Sequence, residues 1–517
     1  MQPNILLITS DQQHWRTLGI NNPKIKTPNL DRLAAMGVNF PRAYCPNPTC
    51  TPTRASILTG QYPSTHGAWT LGTKLPETAA TIGQYLSAAG YWNALIGKAH
   101  FQPLKSTPDS VSIESYPLLR DLDFWRKFNE KHTPWYGFDH VETCRNHAHE
   151  GHVGQHYAIW LEEQGLADWR EYFAPRTDGV KDGGSTHAPL KQKFYGGVAS
   201  EPWKLPEHLH YTAWTGQRTI AAIQHAHDAR QPFFIWSSYH DPHPPYTVSE
   251  PWASMYDPDE VDIGHFTPGE FDQMPLPHQR TREQNPSFAE FGPLNHGYHS
   301  HLHDEQSLRK AVALYYGMIS FMDHWIGKTL DHLEAIGELD NTLIVFTCDH
   351  GHFIGQHGLV AKGPFHYEDV LRVPFLVAWP GRIAPRGEDD AIQSLVDLAP
   401  TFLQAAGVNV PDAMQGLPQL DAWCSGQNPP RDHAIIENHH SRGTVHLRTL
   451  VTRRYKLTVY RNHPDWGELF DLEQDPGELR NLYHDAASAE LKLHMVESLL
   501  QADLKRESAP TPRVSGA

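Results

Sequence analysis

Four short apolar runs constrain the fold more than anything else in the chain. They cover residues 4–9, 91–96, 233–237 and 342–347. None alternates regularly with polar residues, and all are rich in β-formers. That is the pattern of strands buried on both faces of a parallel sheet. Helical patterns fall between them, at 27–37, 81–89, 210–226 and 304–336. The last carries Val312, Tyr315, Ile319, Met322, Ile326 and Leu330 at three- and four-residue spacing and ends at Gly337. A further strand reads at 373–379 and a helix at 395–406. The alternation predicts an α/β fold: a large, mostly parallel central sheet flanked by helices.

In such sheets ligands gather at the carboxyl ends of the strands. The first run exits into Asp11 and Gln12, the second into Gly97-Lys98-Ala99-His100. The third exits into Asp241-Pro242-His243, and the fourth into Asp349 and His350, with Lys362 in a Gly-punctuated loop beyond. Any one of these reads equally well as a polar strand exit. Their shared address points to a hydrolytic centre. Two carboxylates, an amide and an imidazole suit a hard-to-borderline divalent metal, and the cations suit an oxyanion. A second constellation is Asn47-Pro-Thr-Cys50-Thr51-Pro52-Thr53-Arg54, which reads as a Pro-punctuated loop carrying the thiol, followed by an apolar, helix-compatible run to Gly60. A guanidinium and a helix N-terminus make a thiol more nucleophilic. An ordinary buried thiol is the alternative reading of that stretch.

At 517 residues the chain is too long for one core. A catalytic domain over 1–425 and a smaller α+β domain over 426–517 are expected. The latter holds alternating segments at 444–460 and 468–472 and a helix over 490–504. Residues 101–205 read as an irregular insertion over the cleft. Within it His152 and His156 have the i, i+4 spacing of a helical metal pair but no Cys or carboxylate partner. The net charge of −16 argues against nucleic acid or an anionic membrane as the main partner. No stretch approaches the roughly 20 apolar residues of a spanning helix. Five cysteines without metal-type spacing, and an N-terminus without a basic segment, lead us to expect a cytoplasmic protein without a disulfide framework.

Cys50-Thr51-Pro52-Thr53-Arg54, within a run ending Leu58-Thr59-Gly60, resembles the Cys-x-Pro-x-Arg signature of type I sulfatases in the alkaline phosphatase superfamily. Gly97-Lys98-Ala99-His100 resembles that family's Gly-Lys-x-His, and Asp241 to Tyr246 its central histidine motif. Asp349-His350-Gly351 with His357, Lys362 and Gly363 resembles its second metal segment. Glu468 to Leu472 and Asp475 to Leu482 resemble its C-terminal segment. The resemblance spans almost the whole chain outside 101–205.

The resemblance implies that a maturation enzyme oxidises Cys50 to formylglycine, whose hydrate attacks the sulfur of a small-molecule sulfate ester. It implies one divalent metal ion, Ca²⁺ or Mn²⁺, on Asp11, Gln12, Asp349, His350 and residue 50. Arg54 would hold the diol, and Lys98, Lys362 and His243 the sulfuryl oxygens. His243 or Lys362 would assist the leaving alcohol, and His100 would take the remaining diol proton. A homo-oligomer is also consistent with the resemblance. Gln12 and His350 stand where many arylsulfatases carry Asp and Asn, and look more like the branch of phosphonate monoester hydrolases and choline sulfatases. The alternatives are therefore a phosphonate monoester or phosphodiester hydrolase and, in another class, a non-catalytic relative with an unmodified Cys50. Lys98 favours the sulfatase over the first, and the fully occupied set of charged positions disfavours the second.

Overall fold

The computed structural model describes residues 2–145, 153–173, 202–283, 304–439 and 445–507. The four apolar runs are strands β1 (Asn4–Ser10), β2 (Trp92–Gly97), β4 (Phe233–Ser238) and β5 (Thr342–Cys348). With β3 (His140–Thr143) and β6 (Phe375–Ala378) they form a sheet in the order β6-β5-β1-β4-β2-β3. Short strands at Val38–Asn39 and Gly387–Glu388 extend it beyond β6. The run from β5 to β3 is parallel, and β6 is antiparallel to β5. Leu7 of β1 faces Trp236 on one side and Val345 on the other.

Every residue of β1 and β5 is buried. Successive side chains point to opposite faces. Ile5, Leu7, Leu343 and Val345 enter one core, and Leu6, Ile8, Ile344 and Phe346 the other. Helices α1 (Cys50–Thr59) and α4 (Leu398–Ala405) contribute to the first core, α2 (Tyr211–Ala229) and α3 (Glu305–Ala335) to the second. Burial on both sides is why these runs lack polar alternation.

The described part of 101–205 is more regular than its sequence suggests. It supplies β3 and a helix at Gln155–Glu163. As the sheet's last strand, four residues long and half-buried at alternate positions, β3 has no continuous apolar run to reveal it. His156 accepts the Thr143 N–H at 3.1 Å and packs on Trp125 and Phe128, which ties it into this fold; His152 lies outside the described residues.

Strands β7 (His433–His439), β8 (His446–Thr452), β9 (Tyr455–Tyr460) and β10 (Gly467–Asp471) make a separate antiparallel sheet in chain order. One face packs on Met495, Leu499 and Ala502 of α5 (Ala489–Arg506). The other joins the first core through Ala434, Ile436, Val451 and Phe470. No helix among the described residues is long and apolar enough to cross a membrane.

Glu468 of β10 is fully buried. Its Oε1 accepts from the Tyr460 hydroxyl, while Oε2 has no partner. Burial pushes its carboxyl up to about 7, against the pull of the Tyr460 hydroxyl and of Lys456. The proton is therefore held more tightly in the folded state. This contribution to stability is complete below the ordinary carboxylate range near 4.5 and disappears as pH rises through 7. Relative to Glu468→Gln, the wild type is expected to lose about 3 kcal/mol between pH 4.5 and 8. Urea unfolding of both proteins across that range checks it, and a difference independent of pH would exclude Glu468.

Candidate active site

The carboxyl ends of the parallel strands are stitched together by backbone N–H groups. The Asp11 N–H donates to the Asp241 carbonyl at 3.1 Å, joining the exits of β1 and β4. The Lys98 N–H donates to the Ser238 carbonyl at 2.9 Å, joining β2 and β4. The Gln12 N–H donates to Asp349 Oδ1 at 3.1 Å, joining β1 and β5. Gly97 makes this possible: it sits at φ 101°, and a Cβ there would meet the Ser238 carbonyl oxygen at 2.0 Å.

Cys50 lies at the first position of α1, capped by Thr49 in extended geometry, rather than in a loop ahead of the helix. Its Sγ is 3.3 Å from Lys362 Nζ, 3.3 Å from His350 Nε2, 3.6 Å from Asp11 Oδ1 and 3.7 Å from Lys98 Nζ. One turn on, Arg54 is fully buried and touches three strand exits. Its Nε donates to Asp349 Oδ2 at 2.9 Å, and its Nη1 to Ser238 Oγ at 2.7 Å and the Lys98 carbonyl at 3.0 Å. Lys98 pairs with Asp11, and Lys362 Nζ stands 3.1 Å from His350 Nε2.

Electrostatics follow from burial opposed by charge. Burial alone would raise Asp11, but Lys98, Arg54 and Lys362 pull its carboxyl below the usual range. Burial raises the Cys50 thiol, with Asp11 adding to it, and lowers His350 to about 4. His100 and His243 are held far below the ordinary imidazole value, first by burial. Next comes Arg145, then Lys98, for His100; for His243 it is Lys362 and then Lys98. Both rings therefore sit among the site's cations and are neutral. The His243 ring is anchored through Nδ1 to the Pro244 carbonyl at 2.5 Å.

The residues present fit a divalent metal. One donor atom each from Asp11, Cys50, Asp349 and His350 lie within 4.8 Å of one another. Gln12 adds an amide oxygen that is buried and lacks a hydrogen-bond partner, an orphan that a cation would satisfy. That amide is oriented by residues beyond the strand-exit set. Its Nε2 meets His352 Nδ1 at 2.9 Å, His352 Nε2 meets the Tyr246 hydroxyl at 2.7 Å, and Tyr315 bonds the Gln12 carbonyl at 2.9 Å. Gln12 itself is left-handed at φ 61°.

Asp11, Gln12, Cys50, Arg54, Lys98, Asp349, His350 and Lys362 thus meet directly, with His100 and His243 within the field of the same cations. Three cations face two carboxylates, and a divalent ion would raise the positive excess to three. Such a site stabilises anionic esters and the charge that develops as they break.

A model of the sulfatase family matches residues 3–408. The chain belongs to the sulfatase family. A second family model, the C-terminal region of N-sulphoglucosamine sulphohydrolase, matches residues 355–505. An arylsulfatase of Clostridium perfringens is 31% identical over 93% of this sulfatase and 90% of its own length. A choline-sulfatase of Rhizobium meliloti is 26% identical over 93% and 82%. A phosphonate monoester hydrolase structure from Silicibacter pomeroyi superposes with a TM-score of 0.76 at 24% identity, covering 98% of this sulfatase and 96% of that chain. Membership makes the protein a sulfuric ester hydrolase of the alkaline phosphatase superfamily.

Side chains that support this site and were not legible as such in the sequence include His352, Glu114, whose carboxylate accepts the His100 N–H at 2.9 Å, and Arg145. Arg145 lies two residues beyond β3. The rule that led to the other strand exits would have found it, had the edge strand been visible.

Proposed function

We propose that this sulfatase cleaves sulfate monoesters to an alcohol and sulfate, with residue 50 as the nucleophile after oxidation to formylglycine. The observation that carries this is the ring of Asp11, His350, Lys98 and Lys362 around the Cys50 side chain, each within 3.7 Å. The hydrated aldehyde supplies one hydroxyl to attack and a second whose deprotonation expels sulfate without added water. Arg54 balances the negative charge at position 50 and fixes Asp349. Lys98, Lys362 and His243 bind the sulfuryl oxygens. His243 or Lys362 assists the leaving alcohol, and neutral His100 accepts the diol proton. Asp11, Gln12, Asp349, His350 and residue 50 would hold Ca²⁺ or Mn²⁺, which supplies Lewis acidity. Initial rates on an aryl sulfate, a phosphodiester and a phosphonate monoester test the reading. The sulfate is expected to lead by about tenfold or more in kcat/KM, the scale of discrimination one site geometry provides. A faster phosphonate reaction would overturn it.

All ten residues of α1 are buried. A maturation enzyme therefore has to act on Cys50 before folding closes the site. Five cysteines, none of them in a disulfide, suit the reducing cytoplasm. An exposed apolar stripe on α5 supports a homo-oligomer. Leu493, Val496, Leu500 and Leu504 are 40–59% exposed along one stripe at three- and four-residue spacing. Glu490 and Glu497 lie toward its N-terminal half and Lys505 toward its C-terminal end. Antiparallel pairing with a second copy would set unlike charges together. Leu500→Glu is expected to convert a dimer to a monomer by light scattering. A wild type already monomeric at high concentration would exclude the dimer.

A further inference from the structure

Beside the reaction centre lies a buried ion pair to which none of the roles above is assigned. Glu114 and Arg145 are 1% and 7% exposed. Glu114 uses both carboxylate oxygens on backbone. Oε1 accepts the His100 N–H at 2.9 Å, and Oε2 the Gln102 N–H at 2.8 Å. Arg145 Nη1 stands 3.7 Å from Glu114 Oε1. It donates to the Gln102 carbonyl at 2.9 Å and the Glu114 carbonyl at 3.4 Å. The segment after Lys98 is therefore gripped by its N–H groups on one side and its carbonyl on the other.

What this grip fixes is His100. Its backbone is left-handed, at φ 58°. For a residue with a Cβ that conformation costs about 1 kcal/mol or more, and it persists only where the surroundings over-determine it. The two Glu114 bonds and the Arg145 bond provide that determination. The imidazole Nδ1 is buried without a partner, so the side chain has no hydrogen bond at that atom to orient it. Its placement comes instead from the backbone that Glu114 holds. Stability alone is a weak reason for such a pair, since buried ion pairs are commonly matched by apolar residues of similar volume.

We propose that Glu114, oriented by Arg145, is a positioning residue that fixes the His100 imidazole beside position 50. The proposal rests on the reading of His100 as proton acceptor, and its test separates the two. Glu114→Gln keeps one acceptor, turns an amide N–H₂ toward a backbone N–H and leaves Arg145 unpaired. A displacement of about 1 Å in a reacting group costs on the order of 10²-fold. Glu114→Gln is therefore expected to lower kcat about 10- to 100-fold with KM within about twofold. Arg145→Lys keeps the charge, loses the forked geometry and is expected to cost about 3- to 10-fold. It carries the test if Glu114→Gln does not fold. The deciding measurement is the same pair of substitutions in a His100→Ala background, on metal-loaded enzyme with thermal unfolding recorded in parallel. If Glu114 and Arg145 act through His100, neither costs anything further there. Losses that multiply in that background, or an unchanged kcat in the single variants, would overturn the positioning role. An unchanged kcat in His100→Ala alone would instead remove the role of His100, and the proposal with it.

Discussion

Cys50→Ala is expected to lower kcat/KM for a sulfate ester by about 10⁴-fold or more, the scale seen when a covalent nucleophile is deleted. Little else should change. The side chain is small, and Asp11, Lys98, Lys362 and His350 keep their contacts with one another and with the strand exits. The loss is therefore expected chiefly in kcat, with the fold retained and a divalent ion held by the four remaining ligands, more weakly for want of residue 50. Cys50→Ser is the sharper comparison. Serine offers one hydroxyl in the same place and can attack once. It lacks the second hydroxyl that expels sulfate, so it should give a single stoichiometric turnover and then stop. Mass analysis of the peptide containing position 50 completes the test. Active protein is expected to carry an aldehyde there, and full activity with an intact thiol would exclude the formylglycine mechanism.

The centre of the sheet was legible because burial on two faces leaves a plain mark in sequence. The runs containing Leu6–Leu7 and Ile344–Val345 could not be surface strands, and parallel strands exit toward one edge. The site inherits that logic. Asp11, Lys98 and Asp349 are far apart in sequence and adjacent in space because each follows such a strand. What escaped follows equally physical lines. The strand β3 is short and half-exposed, so its pattern is too weak to read, and Arg145 was hidden with it. Glu114 acts on backbone N–H groups, and nothing in a sequence shows which carboxylate will reach which amide. The path from Gln12 through His352 to Tyr246 joins three segments whose packing is set by tertiary contacts alone. Placing Cys50 in a loop was off by one turn for a related reason. The helix starts on the thiol because Thr49 is extended and Pro52 fits a first turn, where a missing N–H costs nothing.

Arg54→Met is expected to produce two effects of opposite sign. The guanidinium is the hydrogen-bonded partner of Asp349 Oδ2, and both side chains are fully buried. Removing it leaves a buried carboxylate whose Oδ1 keeps the Gln12 and His350 N–H groups but whose Oδ2 has lost its cation, with Lys98 more distant. It also leaves the Ser238 hydroxyl and the Lys98 carbonyl without their donor. Breaking a buried pair from one side costs about 3–5 kcal/mol, so urea unfolding of the metal-free protein should shift by that amount. Turnover should fall by about 10²- to 10³-fold, as for loss of one donor that stabilises developing charge. Divalent-ion affinity should move the other way. Asp349 is a candidate ligand, and the lost cation had competed for its charge, so Mn²⁺ or Ca²⁺ should bind more tightly by calorimetry. Added ion should then recover part of the lost stability, by linkage to the folded state, without recovering the rate. Arg54→Lys keeps the charge but cannot reach three strand exits with a rigid fork. It should restore ion affinity toward the wild-type value and leave most of the rate defect. An Arg54→Met enzyme that bound the ion more weakly would mean that the guanidinium orients the ligands more than it opposes the metal.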